Sequence, residues 1–258
     1  MYSRIKQQNK SSSASKTMST INNNINRNIN ELPQFKPIKP CVLLYIYRAQ
    51  AQFVLDELIT EARKTKIFTI VPKIGSLFSN YMFIHVELVQ DSQTIIALIE
   101  YCTERDRNSS YYHILHNFFT IIFDSSKTIQ TWGNLLDLLV PYAQYGLFAS
   151  SDVSQAQSIN VQKIFKPWYN NIFRHDIQCQ QYRKYDEIDS SLCTCCHRPY
   201  KSSSCQWSIS KAIAYTFDER YDYYMHDIHK CLAITKLGHV INGKWTSQKL
   251  NAYKQKQF

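Results

Sequence analysis

Two apolar segments separated by a short turn constrain the fold of this chain more than any other feature. Residues 81–89 (YMFIHVELV) and 94–101 (TIIALIEY) are rich in β-branched and aromatic side chains, which is typical of strands. Asp91 and Ser92 lie between them, and both residue types favour tight turns. The sequence therefore predicts a β-hairpin, on which Glu87 is expected to be an exposed strand residue.

Strand and helix patterns alternate on both sides of this hairpin. Further strands are predicted by apolar, β-branched segments at 41–47, 67–71 and 128–132. Helices are predicted by apolar periodicity at 49–64, 111–122, 134–140, 159–173 and 207–220. A polar, Cys-rich insertion at 176–206 separates the last two helices. This order predicts an α/β fold, with a mixed sheet flanked by helices.

The two ends of the chain differ in composition from its middle. Residues 1–40 are rich in Ser and Asn and hold seven Lys or Arg with one acid, which predicts a disordered basic arm. Residues 228–258 show little periodicity, which predicts a divergent basic tail; a truncated or shifted reading of a longer gene would look similar. Because 41–243 hold 19 basic and 19 acidic residues, the net charge of +10 belongs to the ends. Such ends favour phosphate contacts without giving the domain a basic groove.

Three segments occur in an order that resembles a known family. They are ARKTKIFTIVPK (62–73), TIQTWGNLLDLL (128–139) and WSISKAIAYTF (207–217). They resemble the entry strand, the second motif and the helix before the third motif of the DEDD-type 3′–5′ exonucleases, which are RNase H-like. The resemblance covers residues 42–227. It implies an RNase H-like sheet, with three antiparallel strands and then alternating helices and strands, and removal of nucleotides from a 3′ end of DNA or RNA.

The resemblance also implies a metal site, and this chain departs from it at the first motif. Family members hold two Mg²⁺ or Mn²⁺ ions about 4 Å apart with four carboxylates. The first two acids come as Asp-x-Glu at the end of the first core strand, where this chain has Val71-Pro72-Lys73. No Asp in the chain is followed by Glu two positions later. Because a Lys ammonium repels Mg²⁺, catalysis is predicted to be absent or impaired.

The other motif positions keep candidate residues. Asp137 is the candidate acid of the second motif, and Tyr223 and Asp227 have the Tyr-x-x-x-Asp spacing of the third. If hydrolysis survives, the two acids would hold one metal, and Tyr223 would orient the attacking water. Asp222 is an alternative third-motif acid. The same spacing recurs at Tyr182 with Asp186 and at Tyr185 with Asp189.

A cysteine cluster within the insertion is a candidate metal site. Potential ligands in CTCCHRPYKSSSC are Cys193, Cys195, Cys196, His197 and Cys205. Zinc requires four nitrogen or sulfur ligands in a tetrahedron, and Cys179 could complete such a set if the insertion folds back. The spacing lacks paired Cys-x-x-Cys units, however, so a surface loop with free thiols remains the alternative.

Together these features predict a 3′–5′ exonuclease-like domain that binds nucleic acid with impaired catalysis. The alternative is a non-catalytic protein-interaction scaffold, stabilised by zinc, which the neutral charge of 41–243 favours. The N-terminal residues lack the apolar segment of a secretory signal, and the longest apolar runs are too short to span a bilayer. We therefore expect an intracellular protein, in the nucleus or cytoplasm, without a membrane partner.

Overall fold

A computed structural model of the protein describes eight stretches of the chain. They are residues 28–47, 51–74, 81–102, 109–176, 179, 193–200, 204–221 and 226–256. Two compact units are present: a smaller one from residues 1–31 and 175–205, and a larger one from 32–174 and 206–258. The disorder predicted for the start of the arm concerns residues 1–27, which lie outside the described residues.

Within the described residues of the larger unit, six strands form one sheet. They are β1 (Cys41–Ile46), β2 (Ile67–Ile74), β3 (Tyr81–Val89), β4 (Thr94–Cys102), β5 (Thr128–Thr131) and β6 (Gln157–Asn160). Their order across the sheet is β1-β4-β3-β2-β5-β6. The central strands β2, β3 and β4 are antiparallel, whereas β1 is parallel to β4, and β5 and β6 continue parallel to β2. The predicted hairpin is thus β3 and β4.

The same part of the chain contains eight α-helices. They are α1 (Ala51–Lys64), α2 (Ser110–Ile122), α3 (Leu135–Gln144), α4 (Ser150–Gln155), α5 (Val161–Ile172), α6 (Ile209–Phe217), α7 (His226–Asn242) and α8 (Ser247–Gln255). Ser109, Asn134, Asn160, Ser208 and Thr246 cap the starts of α2, α3, α5, α6 and α8 through their side-chain oxygens. The predicted fold class, α/β with a mixed sheet flanked by helices, is confirmed.

Strand alternation gives the central sheet two differently covered faces. Phe68 and Ile70 of β2 lie in the main hydrophobic core with side chains of α1 and α2. Thr69, between them, points to the opposite face, where its hydroxyl contacts Thr235 of α7. Helix α7 contacts β2, β3 and β5, so it covers the face that carries Val71 and Lys73 as well.

The prediction that residues 228–258 form a divergent tail outside the domain is wrong, because residues 226–242 and 247–255 form α7 and α8. Periodicity fails as a signal in α7 because the helix is buried on several sides, by the sheet and by neighbouring helices. Even Lys236 of this helix is fully buried. Leu250 of α8 is buried too, so this segment is part of the folded unit.

The predicted arm, residues 1–40, is also too long, because residues 32–40 belong to the larger unit. Phe35 is buried there, and its backbone N–H donates to the carbonyl of Arg220 at 2.7 Å. Arg220 in turn donates its own backbone N–H to Pro33. Separately, no helix among the described residues combines the length and apolar character needed to cross a bilayer.

Candidate functional site

The end of β2 carries Val71-Pro72-Lys73 in place of the acid pair that the resemblance implies. β2 continues through these residues to Ile74, paired with β3, and so extends past its predicted end at residue 71. Proline is tolerated here because β5 pairs with β2 only over residues 67–69, so within the described residues Pro72 is bonded to a strand on one side. Lys73 is thereby held on a regular strand, on the face that α7 covers.

Lys73 forms an ion pair with Asp227, the candidate acid of the third motif. Lys73 Nζ lies 2.6 Å from Asp227 Oδ2, and 55% and 24% of the two side chains are exposed. Asp227 is in the first turn of α7, where a negative charge also interacts favourably with the helix dipole. The structure therefore brings the third-motif candidate to the lysine that replaces the first motif. Tyr223 and Asp222 lie outside the described residues.

Asp137, the second-motif candidate, lies in the first turn of α3 and is exposed. Its backbone N–H donates to Asn134 Oδ1, the N-cap oxygen, at 3.2 Å. Neither Asp137 nor Asp227 belongs to a group of three or more His, Cys, Asp or Glu ligands within 4.8 Å of one another among the described residues. This part of the chain therefore brings together no carboxylate set of the kind that holds two Mg²⁺ ions.

His85 is a buried polar residue beside the ion pair. It lies opposite Val71 in the β2–β3 ladder, and its Nδ1 is 3.3 Å from the Val71 carbonyl, to which it donates if that nitrogen carries the proton. Burial lowers the pKa of His85, while the negative charge of Asp227 acts in the opposite direction. Burial therefore disfavours the charged ring, and Lys73 forms the ion pair with Asp227.

Glu87 is fully buried under α7, so the expectation of an exposed strand residue is wrong. The alternation of β3 correctly places Glu87 opposite the core face, but α7 covers that second face. Thr94 Oγ1 lies 2.8 Å from Oε1, and Thr235 Oγ1 lies 2.6 Å from Oε2. Burial raises the pKa of Glu87 to about 7, although both hydrogen bonds favour the ionised form.

The hydroxyl groups around Glu87 can also accommodate its protonated form. Thr94 has one hydroxyl hydrogen but two oxygens within reach, Glu87 Oε1 and the Leu88 carbonyl at 3.0 Å. If Glu87 donates to Thr94, then Thr94 can donate to Leu88, and both contacts are satisfied. On the other side, Thr69 lies 2.7 Å from Thr235 and can donate to it, which leaves the Thr235 hydrogen for Glu87. A neutral Glu87 thus completes a chain of hydrogen bonds.

A second cluster, in the smaller unit, consists of one histidine and three cysteines: His175, Cys179, Cys193 and Cys195. His175 Nδ1 lies 3.3 Å from the sulfurs of Cys179 and Cys195 and 3.7 Å from that of Cys193. The Cys179 and Cys193 sulfurs are 4.0 Å apart. All three cysteines are buried. Four convergent ligand atoms at this spacing form a group that could hold a metal ion.

The surroundings of Cys195 act in two opposite directions on the charge of its sulfur. The backbone N–H of Asp176 donates to Cys195 Sγ at 3.3 Å, which favours a thiolate. Burial, followed by smaller effects of the neighbouring thiols, nevertheless raises the pKa of Cys195 to about 12. A bound cation reverses this balance, because a metal-coordinated thiol is deprotonated. The cluster is therefore better suited to a metal than to free thiolates.

The sequence identified two of these four ligands directly. Cys193 and Cys195 were candidates, and Cys179 joins them as it was expected to do if the insertion folded back. Cys196 and Cys205 are exposed and lie outside both ligand groups found among the described residues.

His197 is directed elsewhere, and His175 takes the place of the fourth ligand. His197 Nδ1 lies 3.7 Å from Asp176 Oδ1, in a second group that shares Cys195. His175 was missed because the predicted insertion began one residue after it. The pattern that could have revealed His175 as a ligand is its His-x-x-x-Cys spacing to Cys179, followed by Cys-x-Cys at 193 and 195.

Comparisons with known proteins assign no family. No family model matches the chain, and neither a curated protein nor a solved structure matches it.

Proposed function

We propose that this chain is a nucleic-acid-binding domain related to the RNase H-like 3′–5′ exonucleases, and that it does not hydrolyse its ligand. The observation that carries the proposal is the ion pair between Lys73 Nζ and Asp227 Oδ2, at 2.6 Å. By the resemblance, Lys73 stands in the first motif and Asp227 in the third. A divalent ion would have to displace the lysine, and among the described residues it would gain one carboxylate there.

The distribution of positive charge supports nucleic acid as the ligand. The C-terminal lysines lie on or beside folded structure, since α8 includes Lys249 and Lys254. Lys249 Nζ lies 4.6 Å from the centre of the Trp245 ring. Cations interleaved with aromatic rings are typical of surfaces that bind single strands, because they pair with phosphates and stack on bases. The N-terminal residues 1–27 add further basic charge.

We infer that the group His175, Cys179, Cys193 and Cys195 holds zinc. Tetrahedral zinc with Zn–S of about 2.3 Å and Zn–N of about 2.0 Å places sulfurs about 3.8 Å apart and nitrogen about 3.5 Å from sulfur. The observed separations, 4.0 Å between two sulfurs and 3.3 to 3.7 Å from nitrogen to sulfur, fit this geometry. Four protein ligands leave no position for water or substrate, which indicates a structural role.

A second candidate function is a protein-interaction scaffold without a nucleic-acid role. It is favoured by the equal numbers of basic and acidic residues in 41–243, which give the domain no net attraction for phosphates. The zinc inference applies equally to this candidate.

Hydrolysis is tested with 3′-labelled single strands of DNA and RNA, in Mg²⁺ and then in Mn²⁺, using the full chain. We expect no shortening in a protein that circular dichroism shows to be folded. Asp137→Asn and Asp227→Asn are compared with Asp56→Asn, an exposed acid on α1. Stepwise shortening that the first two substitutions abolish and the third preserves would show that a catalytic site exists, and the non-hydrolytic proposal would be wrong.

Binding is tested by fluorescence anisotropy of the same strands between 50 and 300 mM salt. Each phosphate neutralised on a single strand contributes about 0.7 to the slope of log K against log salt. A steep dependence is expected for the full chain. Binding that is undetectable at low salt would favour the scaffold. A protein partner would then be sought by a pull-down from a library of folded proteins.

A further inference from the structure

A second group of potential metal ligands in the smaller unit shares one sulfur with the four proposed zinc ligands. It consists of Asp176, Cys195 and His197, whose ligand atoms all lie within 4.8 Å of one another. The sulfur of Cys195 also belongs to the first group, in which it lies 3.3 Å from His175 Nδ1. Two sets of ligand atoms therefore meet at one thiol.

Backbone hydrogen bonds hold the members of the second group near this sulfur. The N–H of Asp176 donates to Cys195 Sγ at 3.3 Å, which fixes residue 176 beside the sulfur. The N–H of Arg198 donates to the Cys195 carbonyl at 3.3 Å and closes a turn, which brings His197 back toward Cys195. The N–H of Cys179 donates to the Asp176 carbonyl at 2.8 Å, so the backbone also connects the two groups.

The distance between the Asp176 and His197 side chains suits two ligands of one ion. Asp176 Oδ1 lies 3.7 Å from His197 Nδ1, whereas N–H···O hydrogen bonds measure about 2.7–3.2 Å. Bonds of about 2.0–2.2 Å to zinc place two such ligands about 3.4 Å apart at the tetrahedral angle, and a modest opening of that angle gives the observed value. The two residues form an ion pair only when His197 is protonated, whereas its neutral ring is a metal ligand.

The second group is open to solvent, unlike the first. About half of the Asp176 side chain is exposed, at 51%, and 21% of His197, whereas Cys195 is fully buried. The three described ligands leave a fourth tetrahedral position, which water can occupy. An ion at this group would therefore exchange with the solvent more readily than an ion held by four protein ligands.

Cys195 can serve both groups because a thiolate sulfur has more than one lone pair. Once the zinc of the first group has removed the proton, a lone pair remains for another cation. Two cations at one sulfur repel each other, and the carboxylate of Asp176 offsets part of this repulsion. Arg198, a buried cation of the same turn, acts against a second metal ion. Binding at the second group is therefore expected to be weaker than at the first.

We propose that Asp176, Cys195 and His197 bind a second, exchangeable zinc ion through a thiolate bridge at Cys195. This second site rests on the proposed function, because the zinc of the first group deprotonates the shared sulfur. It adds a metal with an open position to a unit whose first metal site is closed. A desalted chain is expected to keep the zinc of the first group alone.

The test starts from the full chain, purified with zinc and then desalted, and titrates it with Co²⁺ as a spectroscopic substitute for zinc. One cobalt per chain should bind, with thiolate-to-cobalt charge-transfer absorption in the near ultraviolet, which carboxylate and imidazole ligands do not produce. Native mass spectrometry should show one zinc and one cobalt in the same chain, so that exchange of the first ion is recognised. Cobalt binding without this absorption would overturn the thiolate bridge.

Variants identify the remaining ligands of the cobalt. His197→Ala and Asp176→Asn should each weaken cobalt binding at least tenfold and leave the first zinc in place, since neither residue belongs to the first group. His116→Ala and Asp56→Asn, which change an exposed histidine of α2 and an exposed acid of α1, are the matched controls and should leave binding unchanged. Unchanged binding in the first two variants would show that the cobalt lies elsewhere.

The zinc content before titration distinguishes failure of this site from failure of the proposed function. If the desalted chain holds no zinc, the first zinc site is wrong, and the bridge is wrong with it. If the chain holds one zinc but binds no cobalt at millimolar concentration, the second site is wrong and the first zinc site stands.

Discussion

The His175 cluster and the Lys73–Asp227 pair lie at the two places where the sequence offers candidate metal ligands, and they differ in the groups that surround those ligands. In the cluster, one imidazole and three buried thiols converge on one point. At the end of β2, the carboxylate of Asp227 is already in contact with Lys73. The first arrangement offers four ligand atoms to a metal ion, whereas the second already pairs its carboxylate with a lysine.

This difference shows why the presence of residues that can ligate a metal is a weaker guide to metal binding than the charges of the groups around them. An acid in an otherwise suitable position cannot hold a metal well when a lysine lies 2.6 Å away. The three thiols and the histidine of the cluster, whose ligand atoms all lie within 4.8 Å of one another, could hold a metal ion, and a bound metal would deprotonate the thiols. Glu87 is a third case, because burial raises its pKa to about 7 and so favours the neutral, protonated acid more than water does.

The largest effect on metal content and stability is expected when a cysteine of the His175 cluster is replaced. Cys193→Ser should abolish tight zinc binding and unfold the smaller unit, because structural zinc contributes about 10–16 kcal/mol of apparent binding free energy at neutral pH. Metal content by mass spectrometry should fall from one zinc per chain to none, and hydrogen exchange of residues 193–200 should accelerate.

Cys205→Ser is the matched control for this prediction. The same atom is exchanged in an exposed cysteine outside the group. It should retain one zinc per chain and normal exchange. Equal zinc content in both variants would remove the basis for a metal at these four residues.

An intermediate effect on the unfolding free energy is expected for Glu87→Gln, and it should depend on pH. Its pKa is about 7 in the folded protein and about 4.5 when exposed, so unfolding releases a proton between these values. The stability that the neutral form provides is complete below about pH 4.5 and is lost as pH rises through 7. Glu87→Gln, which imitates the neutral acid, should therefore gain up to about 3 kcal/mol over the natural chain above pH 7.

Urea unfolding at pH 5 and pH 8 measures this difference. The gain in unfolding free energy from Glu87→Gln should be small at pH 5 and large at pH 8, whereas the exposed Glu57→Gln should show no such change. A pH-independent difference would mean that Glu87 is ionised in the folded protein throughout, and that a cation balances it as Lys73 balances Asp227.

Local patterns predicted the sheet better than the helix that covers it. The hairpin of β3 and β4 follows from two segments rich in β-branched and aromatic residues and from the short turn between them, which are properties of neighbouring residues. Helix α7 has no polar face to reveal its period, because Lys236 is buried against Glu219 at 2.7 Å and against the ring of Phe217 at 4.3 Å. Its burial depends on partners from distant segments.

The two candidate sites were predictable to the extent that their residues are close in sequence. Val71-Pro72-Lys73 was visible as a departure from the acid pair that the resemblance implies, but the ion pair of Lys73 with Asp227 joins residues more than 150 positions apart. Cys193 and Cys195 were visible as a cluster, whereas His175 and Cys179 approach them only when the insertion folds back. Spacing reveals half of such a site, and the chain fold supplies the other half.

The smallest effect is expected on removing the lysine at the end of β2. Lys73→Gln should lower the unfolding free energy by less than about 1 kcal/mol, because half of the lysine side chain is exposed and its pair is screened by water. Lys64→Gln, which removes an exposed pair with Glu61, is the control and should have a similar effect. Lys73→Gln should also leave Mg²⁺ binding undetectable by calorimetry, since Asp227 is the one carboxylate that the described residues place there and four are needed for two ions. If the variant instead bound Mg²⁺ tightly, Lys73 alone would be what keeps the metal out, and the site would still hold the ligands that the sequence says it has lost.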